Sequence, residues 1–226
     1  MADAPDIARN LAELHAAVRA AGGADVTLVA AAKAQPEARL EAALRAGQRV
    51  FGENYVQEAE AHWGERRRAY PDLELHLIGP LQTNKAKDAV RLFDVIETVD
   101  RERLAAALAK AEAATGLERR YCVQVNTGEE PQKAGIAPTA AVAFVERARR
   151  VHGLDVVGLM AIPPAAEPPG PHFALLAQLA DAAGVPWRSM GMSGDYLDAV
   201  RLGATHLRIG TGVFGARPPK GDAQPR

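Results

Sequence analysis

The chain has 226 residues, 48% of them hydrophobic, with 27 basic and 28 acidic side chains for a net charge of −1. That is enough apolar material for one core but hardly for two. No large positive field exists to draw in nucleic-acid backbones or anionic lipid, and the longest apolar runs are strand-sized, too short to cross a bilayer.

Ile7, Leu11, Leu14 and Val18 recur at helical spacing and predict a helix over 6–21, stopped by Gly22-Gly23. VTLVAAA (26–32) is an unbroken apolar run of strand length, the mark of a parallel strand covered on both faces. From there the pattern alternates. A helix over 36–46 has Pro36 in its first turn and Gly47 at its end. Strand 49–52 leads to helix 55–68, strand 75–78 to helix 81–92, and strand 95–99 to helix 101–115. Strand 121–125 is followed by helix 139–151, strand 156–160 by helix 173–183, and strand 187–190 by helix 195–202. Strand 206–209 is the eighth. Eight short apolar runs separated by helices mean βαβ units and a parallel sheet, and eight such units close naturally into a barrel. The expected fold is therefore α/β, a single (β/α)8 TIM barrel with an extra N-terminal helix, over residues 1–217. An open doubly wound sheet is the alternative that the pattern leaves. PPAAEPPGP (163–171) reads as a stiff loop at the barrel mouth, and 218–226 as a disordered tail.

MADAPD at the start has neither the basic nor the apolar region of a secretory signal. The single cysteine, Cys122, excludes an internal disulfide, suits a reducing compartment, and sits in an apolar stretch as a small buried hydrophobe. The six histidines show no i, i+4 pair and no neighbouring cysteine, so no dedicated metal site is expected. These readings lead to the expectation of a soluble, cytoplasmic protein without nucleic-acid or membrane partners; a monomer is only the default, since a single sequence does not show which faces are exposed.

In such a barrel, function gathers at the C-terminal ends of the strands. The first strand ends on Lys33, where a poorly hydrated mouth would favour a neutral amine able to attack a carbonyl; a first solvated loop residue is the plain alternative. Asn54 and Gln82 stand near helix starts, where helix capping explains them equally well. His76, alone within a strand, reads as a satisfied core residue. GMSGD (191–195) after the seventh strand and RIGTG (208–212) after the eighth bring together two hydroxyls, a helix N-terminus and glycine-rich backbone. Free N–H groups and the helix dipole make that a phosphate cradle, in the usual phosphate position of the fold. A lysine facing a phosphate site suggests a phosphorylated aldehyde held covalently, and pyridoxal phosphate is the common small molecule that fits.

Several longer strings extend this reading: Lys33 with Pro36, GENYVQE (52–58), HLIGPLQTNK (76–85), Val125-Asn126, KAG (133–135), GLM (158–160), GMSGD and RIGTGVFG (208–215). In this set and order the sequence resembles the pyridoxal phosphate homeostasis protein family, a stand-alone barrel similar to the N-terminal domain of bacterial alanine racemase. The match runs from about Val26 to Arg217. It departs from the family in Ala32, where serine or a related residue is common, and in Leu75, where an aromatic is common; both touch the fine shape of the pocket.

The resemblance implies Lys33 as the imine lysine, Ser193, Gly210 and Thr211 as phosphate holders, Arg208 near the pyridine nitrogen, and Asn54 and Met192 as pocket lining. A guanidinium beside that nitrogen keeps it unprotonated, which weakens the ring as an electron sink. The resemblance further implies a cofactor carrier or buffer in vitamin B6 homeostasis, able to pass pyridoxal 5'-phosphate to an apo-enzyme, with no dedicated catalytic residue. A racemase-like enzyme is the main alternative. It would need a base opposing Lys33, supplied in the racemases by a C-terminal β-domain that is absent from this sequence. None of Tyr55, Tyr70, Tyr121 and Tyr196 is evidently placed for that task. A Schiff-base aldolase is a further alternative, for which Glu53 is the nearest carboxylate.

Overall fold

A parallel strand that is apolar on both faces needs a helix on its outer side, and a strand–helix alternation supplies one for each strand. The computed structural model describes residues 5–216. Its elements are α1 (Ile7–Ala20), β1 (Thr27–Ala31), α2 (Glu37–Arg45), β2 (Val50–Glu53), α3 (Val56–Trp63), α4 (Arg66–Ala69), β3 (Glu74–Leu77), α5 (Ala86–Leu92) and β4 (Val95–Val99). They continue with α6 (Glu102–Thr115), β5 (Arg120–Val125), α7 (Pro138–Arg150), β6 (Asp155–Ala161), α8 (Pro169–Ala182), β7 (Trp187–Ser189), α9 (Tyr196–Arg201), β8 (His206–Ile209) and α10 (Thr211–Phe214). The strands form one closed barrel in the order β1 to β8. All neighbours are parallel, and β8 returns to β1 with Thr27 opposite His206 and Ala30 opposite Ile209. The closed barrel is the architecture expected from the pattern; the open sheet is not formed. The tail over 218–226 lies outside the described residues.

Four boundaries differ from the sequence reading, each for a local reason. The single helix expected over 55–68 is two, α3 and α4, separated by a turn at Gly64-Glu65. The helix expected from 81 opens with a 3-10 turn at Thr83–Lys85 before α5. The proline-rich loop is shorter than 163–171, because α8 begins at Pro169. Proline is tolerated in a first helical turn, where its missing N–H has no intrahelical partner to lose. Finally, a four-residue helix, α10, follows β8 directly, too short for the sequence to show a period.

The additional helix α1 is as the spacing predicts, with Ile7, Leu11, Leu14 and Val18 buried and Asp6 capping it through Arg9 N–H at 3.0 Å. It packs behind the last strand end. Asn10 Nδ2 donates to the carbonyl of Val213 at 2.9 Å, and a Cβ at Gly212 would meet the Leu14 side chain at 3.6 Å and Ile209 Cγ2 at 2.8 Å. The N-terminal helix thus buttresses α10 itself, directly after β8.

Candidate functional site

A pocket of about 380 Å³ lies at the C-terminal ends of β1, β2, β7 and β8. All seven residues singled out from the sequence line it: Lys33, Asn54, Met192, Ser193, Arg208, Gly210 and Thr211. Ala31, Gln35, Ile78, Ile162 and Gly194 complete the wall. A larger groove of about 580 Å³ lies by the starts of β5 and β6, but it is lined by neither lysine nor hydroxyl side chains.

Lys33 is not on the strand. It follows β1 by two residues, in a turn where Ala34 takes a positive φ of 55°. Ala34 N–H is held by a Glu58 carboxylate oxygen, and Gln35 N–H returns to Ala32 carbonyl at 3.0 Å. The side chain is half-buried, with Nζ 5.4 Å from the ring centre of Tyr55. Glu58 therefore ties α3 to the lysine turn. Glu53, the carboxylate nearest in sequence, points elsewhere: buried, it takes hydrogen bonds from Trp63 Nε1 at 2.9 Å and pairs with His62 Nδ1 at 2.7 Å. Burial lifts its carboxyl above the usual range, partly offset by His62 and Trp63. Glu53, Glu58 and His62 thus come within 4.8 Å of one another, a set the sequence reading did not foresee. The hydrogen bonds just described account for that geometry.

Asn54 and Gln82 cap nothing. Tyr55 occupies the cap position of α3 and makes no side-chain bond to it, and Gln82 makes none to the 3-10 turn. Asn54 belongs to the pocket because the loop after β3 leans on its backbone: a Cβ at Gly79 would lie 2.3 Å from Asn54 carbonyl oxygen and 2.6 Å from its Cα. Gly79→Ala is accordingly expected to push Asn54 aside and to cost about 1–3 kcal/mol, read as a fall of several degrees in the thermal midpoint.

Two loops meet beside the lysine turn, not opposite it, because β8 is the direct neighbour of β1. Asp195 accepts Met192 N–H at 2.6 Å, which curls 191–195 into a tight loop. Ser193 Oγ accepts Gly212 N–H at 3.1 Å, joining that loop to the first turn of α10. The first N–H of α10, that of Thr211, has no intrahelical partner, and neither it nor the Gly194 N–H in the loop before α9 finds an acceptor among the described residues. The pair of loops presents two hydroxyls and free N–H donors to the pocket, a donor set suited to an anion.

The floor is Arg208, buried with 4% of its surface exposed. One terminal nitrogen donates to Ser189 Oγ at 2.6 Å, the other to Ala161 carbonyl at 2.8 Å. Behind it runs a chain of charges through the barrel core. Ser189 Oγ donates to Glu97 Oε2, which also stands 3.8 Å from Arg208. Glu97 Oε1 pairs with His76 Nδ1 at 2.5 Å, and His76 Nε2 with Glu74 at 2.7 Å. Arg120 closes the chain on Glu74 at 2.8 Å. Burial opposes the charged His76 ring, but the hydrogen bonds to Glu74 and Glu97 outweigh it and hold its pKa well above the ordinary imidazole value. Burial likewise opposes the Glu97 anion, yet His76, Arg208 and Ser189 keep its pKa below the usual carboxylate range. His76 is the satisfied core residue expected. Its partners went unseen, although one acidic residue inside the apolar run VIETV (95–99) was a signal that could have flagged Glu97. Cys122 is fully buried, and burial pushes its thiol up, as suits a small hydrophobe.

Fold and pocket together define the class: a single β/α barrel with a polar pocket at the C-terminal ends of its strands. The family model described as alanine racemase, N-terminal domain, matches residues 3–218. The chain is 40% identical over 221 residues to the pyridoxal phosphate homeostasis protein of Pseudomonas aeruginosa, covering 95% of each, and 36% identical over 229 residues to that of Escherichia coli K12, covering 94% of this chain and 97% of the relative. It belongs to the pyridoxal phosphate homeostasis protein family, within the alanine racemase N-terminal domain family. Among solved structures, PipY of Synechococcus elongatus, with pyridoxal phosphate bound, superposes with a TM-score of 0.81 at 38% identity, over 92% of this chain and 100% of PipY. Alanine racemase of Clostridium difficile, at 15% identity, shares the fold with a TM-score of 0.73, over 95% of this chain and 57% of the racemase.

Proposed function

We propose that this protein binds pyridoxal 5'-phosphate at the barrel mouth, held reversibly on Lys33 as an imine, and serves vitamin B6 homeostasis as a carrier or buffer of the cofactor. The observation that carries this reading is the make-up of one pocket. It joins one primary amine, two hydroxyls beside glycine N–H groups and a buried guanidinium, and its described lining includes no carboxylate, imidazole or thiol. The names of the curated relatives and the PipY structure with pyridoxal phosphate support the same ligand.

In this reading Lys33 supplies the amine, while Ser193, Gly210 and Thr211 hold the phosphate. Asn54 and Met192 flank the ring, and Arg208 faces the ring nitrogen from the floor. When bound, the cofactor supplies an aldehyde carbon and an electron-withdrawing ring. Arg208 limits that second property, since a second cation on the ring nitrogen would be repelled. General acid–base work needs a titratable group within hydrogen-bond reach of the reacting atoms. Glu53, which an aldolase would have to recruit, is engaged by α3 instead. Tyr55 stands beside Lys33 but does not line the pocket. The side chains present therefore favour uptake and release, to free amine or to an apo-enzyme, over turnover of an amino acid.

An absorbance spectrum before and after borohydride, with peptide mapping, tests the proposal. A band that reduction fixes onto Lys33 is expected; no band after adding pyridoxal 5'-phosphate would overturn it. Racemase and transaminase assays on the same sample separate carrier from enzyme. The phosphate assignment has its own test. Ser193→Ala combined with Thr211→Ala is expected to weaken pyridoxal 5'-phosphate about 100-fold while changing unphosphorylated pyridoxal less than about threefold. Equal losses for both would place the phosphate elsewhere.

A further inference from the structure

The buried chain behind Arg208 needs an explanation other than stability. Glu97 and His76 are 1% and 0% exposed, and Arg208 is 4% exposed. Taking such charges out of water is costly, and apolar side chains of similar volume commonly serve a core as well or better. What the charges do supply is direction. Both terminal nitrogens of Arg208 are tied down on the barrel side, to Ser189 on β7 and to Ala161 on β6. Ser189 is in turn held by Glu97 on β4, reaching across the barrel interior, and Glu97 by His76 on β3. A guanidinium held from three strands, with a fourth bracing Glu97, has one orientation at the pocket floor, and its Nε makes no hydrogen bond among the described residues.

We propose that Glu97 is a positioning residue for Arg208: acting through Ser189, it fixes the guanidinium so that an N–H donor meets the ring nitrogen of a bound pyridine aldehyde. The inference rests on the ligand reading above. Two features support Glu97 in particular. It is the acceptor shared by the imidazole and the hydroxyl, so without it Ser189 loses the partner that aims its lone pair at Arg208. It is also the nearest counter-charge to Arg208, at 3.8 Å.

The test compares affinities for pyridoxal 5'-phosphate and for its analogue with CH in place of the ring nitrogen, in full-length protein. A donor aimed at the nitrogen gives the wild type a preference of about tenfold for the natural ring. Glu97→Gln and Ser189→Ala are each expected to bring that preference within about threefold while the band fixed to Lys33 persists, which loss of fold alone would not produce. Far-UV circular dichroism checks each fold. Should Glu97→Gln fail to fold, Ser189→Ala tests the same link. A preference kept at about tenfold in either folded variant overturns the proposal. Arg208→Met separates the two levels of argument: a preference unchanged there shows that Arg208 is not at the nitrogen. Uptake of neither ligand by the wild type would instead remove the ligand reading itself, and the proposal with it.

Discussion

Lys33→Ala protein mixed with pyridoxal 5'-phosphate is expected to show no imine absorbance and no cofactor fixed to protein by borohydride, while still binding the ligand about 100-fold more weakly than wild type. The residual binding follows from the layout of the pocket. Lys33 sits in the turn after β1, whereas the Ser193 and Thr211 hydroxyls come from separate loops, after β7 and after the neighbouring β8. Removing the amine leaves that anion cradle untouched. The turn itself is held by backbone bonds and by Glu58 on Ala34 N–H, not by the lysine side chain, so the variant should fold normally. Equilibrium dialysis alongside the spectrum measures both effects. Unchanged absorbance would remove Lys33 from the site, and complete loss of binding would mean that the phosphate loops contribute little by themselves.

How much of this was legible beforehand depended on the distance over which each signal acts. The barrel was, because a parallel strand buried on both faces writes a continuous apolar run, and eight such runs with helices between them leave few topologies. The phosphate side was legible because GMSGD and RIGTG are contiguous strings whose chemistry is local. Lys33 stands at the mouth in the turn after β1, the loop position that the sequence leaves open: the run VTLVAAA does not reveal where the strand stops or that Ala34 turns to positive φ. For Asn54 the residues alone leave helix capping and a pocket place equally open, and only the family resemblance implies the pocket; what places it there is the loop after β3, where Gly79 packs on its backbone. The core charges were the least legible. Ser189 and Glu97 are 92 positions apart in sequence and meet only when the sheet closes on itself. Glu53 illustrates the same limit in reverse, since its partners His62 and Trp63 are near in sequence but on the outward side of the strand.

Glu97→Leu is expected to be the most destabilising single change in the barrel interior, by about 3–5 kcal/mol, because it strands two buried cations, His76 and Arg208. For a chain of this size that is a fall of roughly 10 °C in the thermal midpoint. The same cluster gives the wild type a characteristic response to pH. A histidine whose folded pKa is raised adds stability that is fully present below the unfolded imidazole value. That stability is lost as the pH climbs through the raised one, because over this window the native state holds a proton that the unfolded chain has released. Stability of the wild type should therefore decline from about pH 6.5 upward, by about 1.4 kcal/mol per pH unit for each histidine involved. His76 is one; His62, raised chiefly by its bond to Glu53, adds to the slope. His206 acts in the opposite window: burial pushes it down to about 4, so its contribution is lost only on acidification. The Cys122 thiol joins only above about pH 8.5, where the unfolded chain would begin to ionise it. Urea titrations from pH 7 to 8 thus isolate the two raised histidines, and His76→Gln should remove the His76 share of the decline while leaving that of His62. A wild-type stability flat over that range would mean that His76 is neutral in the folded barrel, and that Glu97 faces Arg208 without a competing charge.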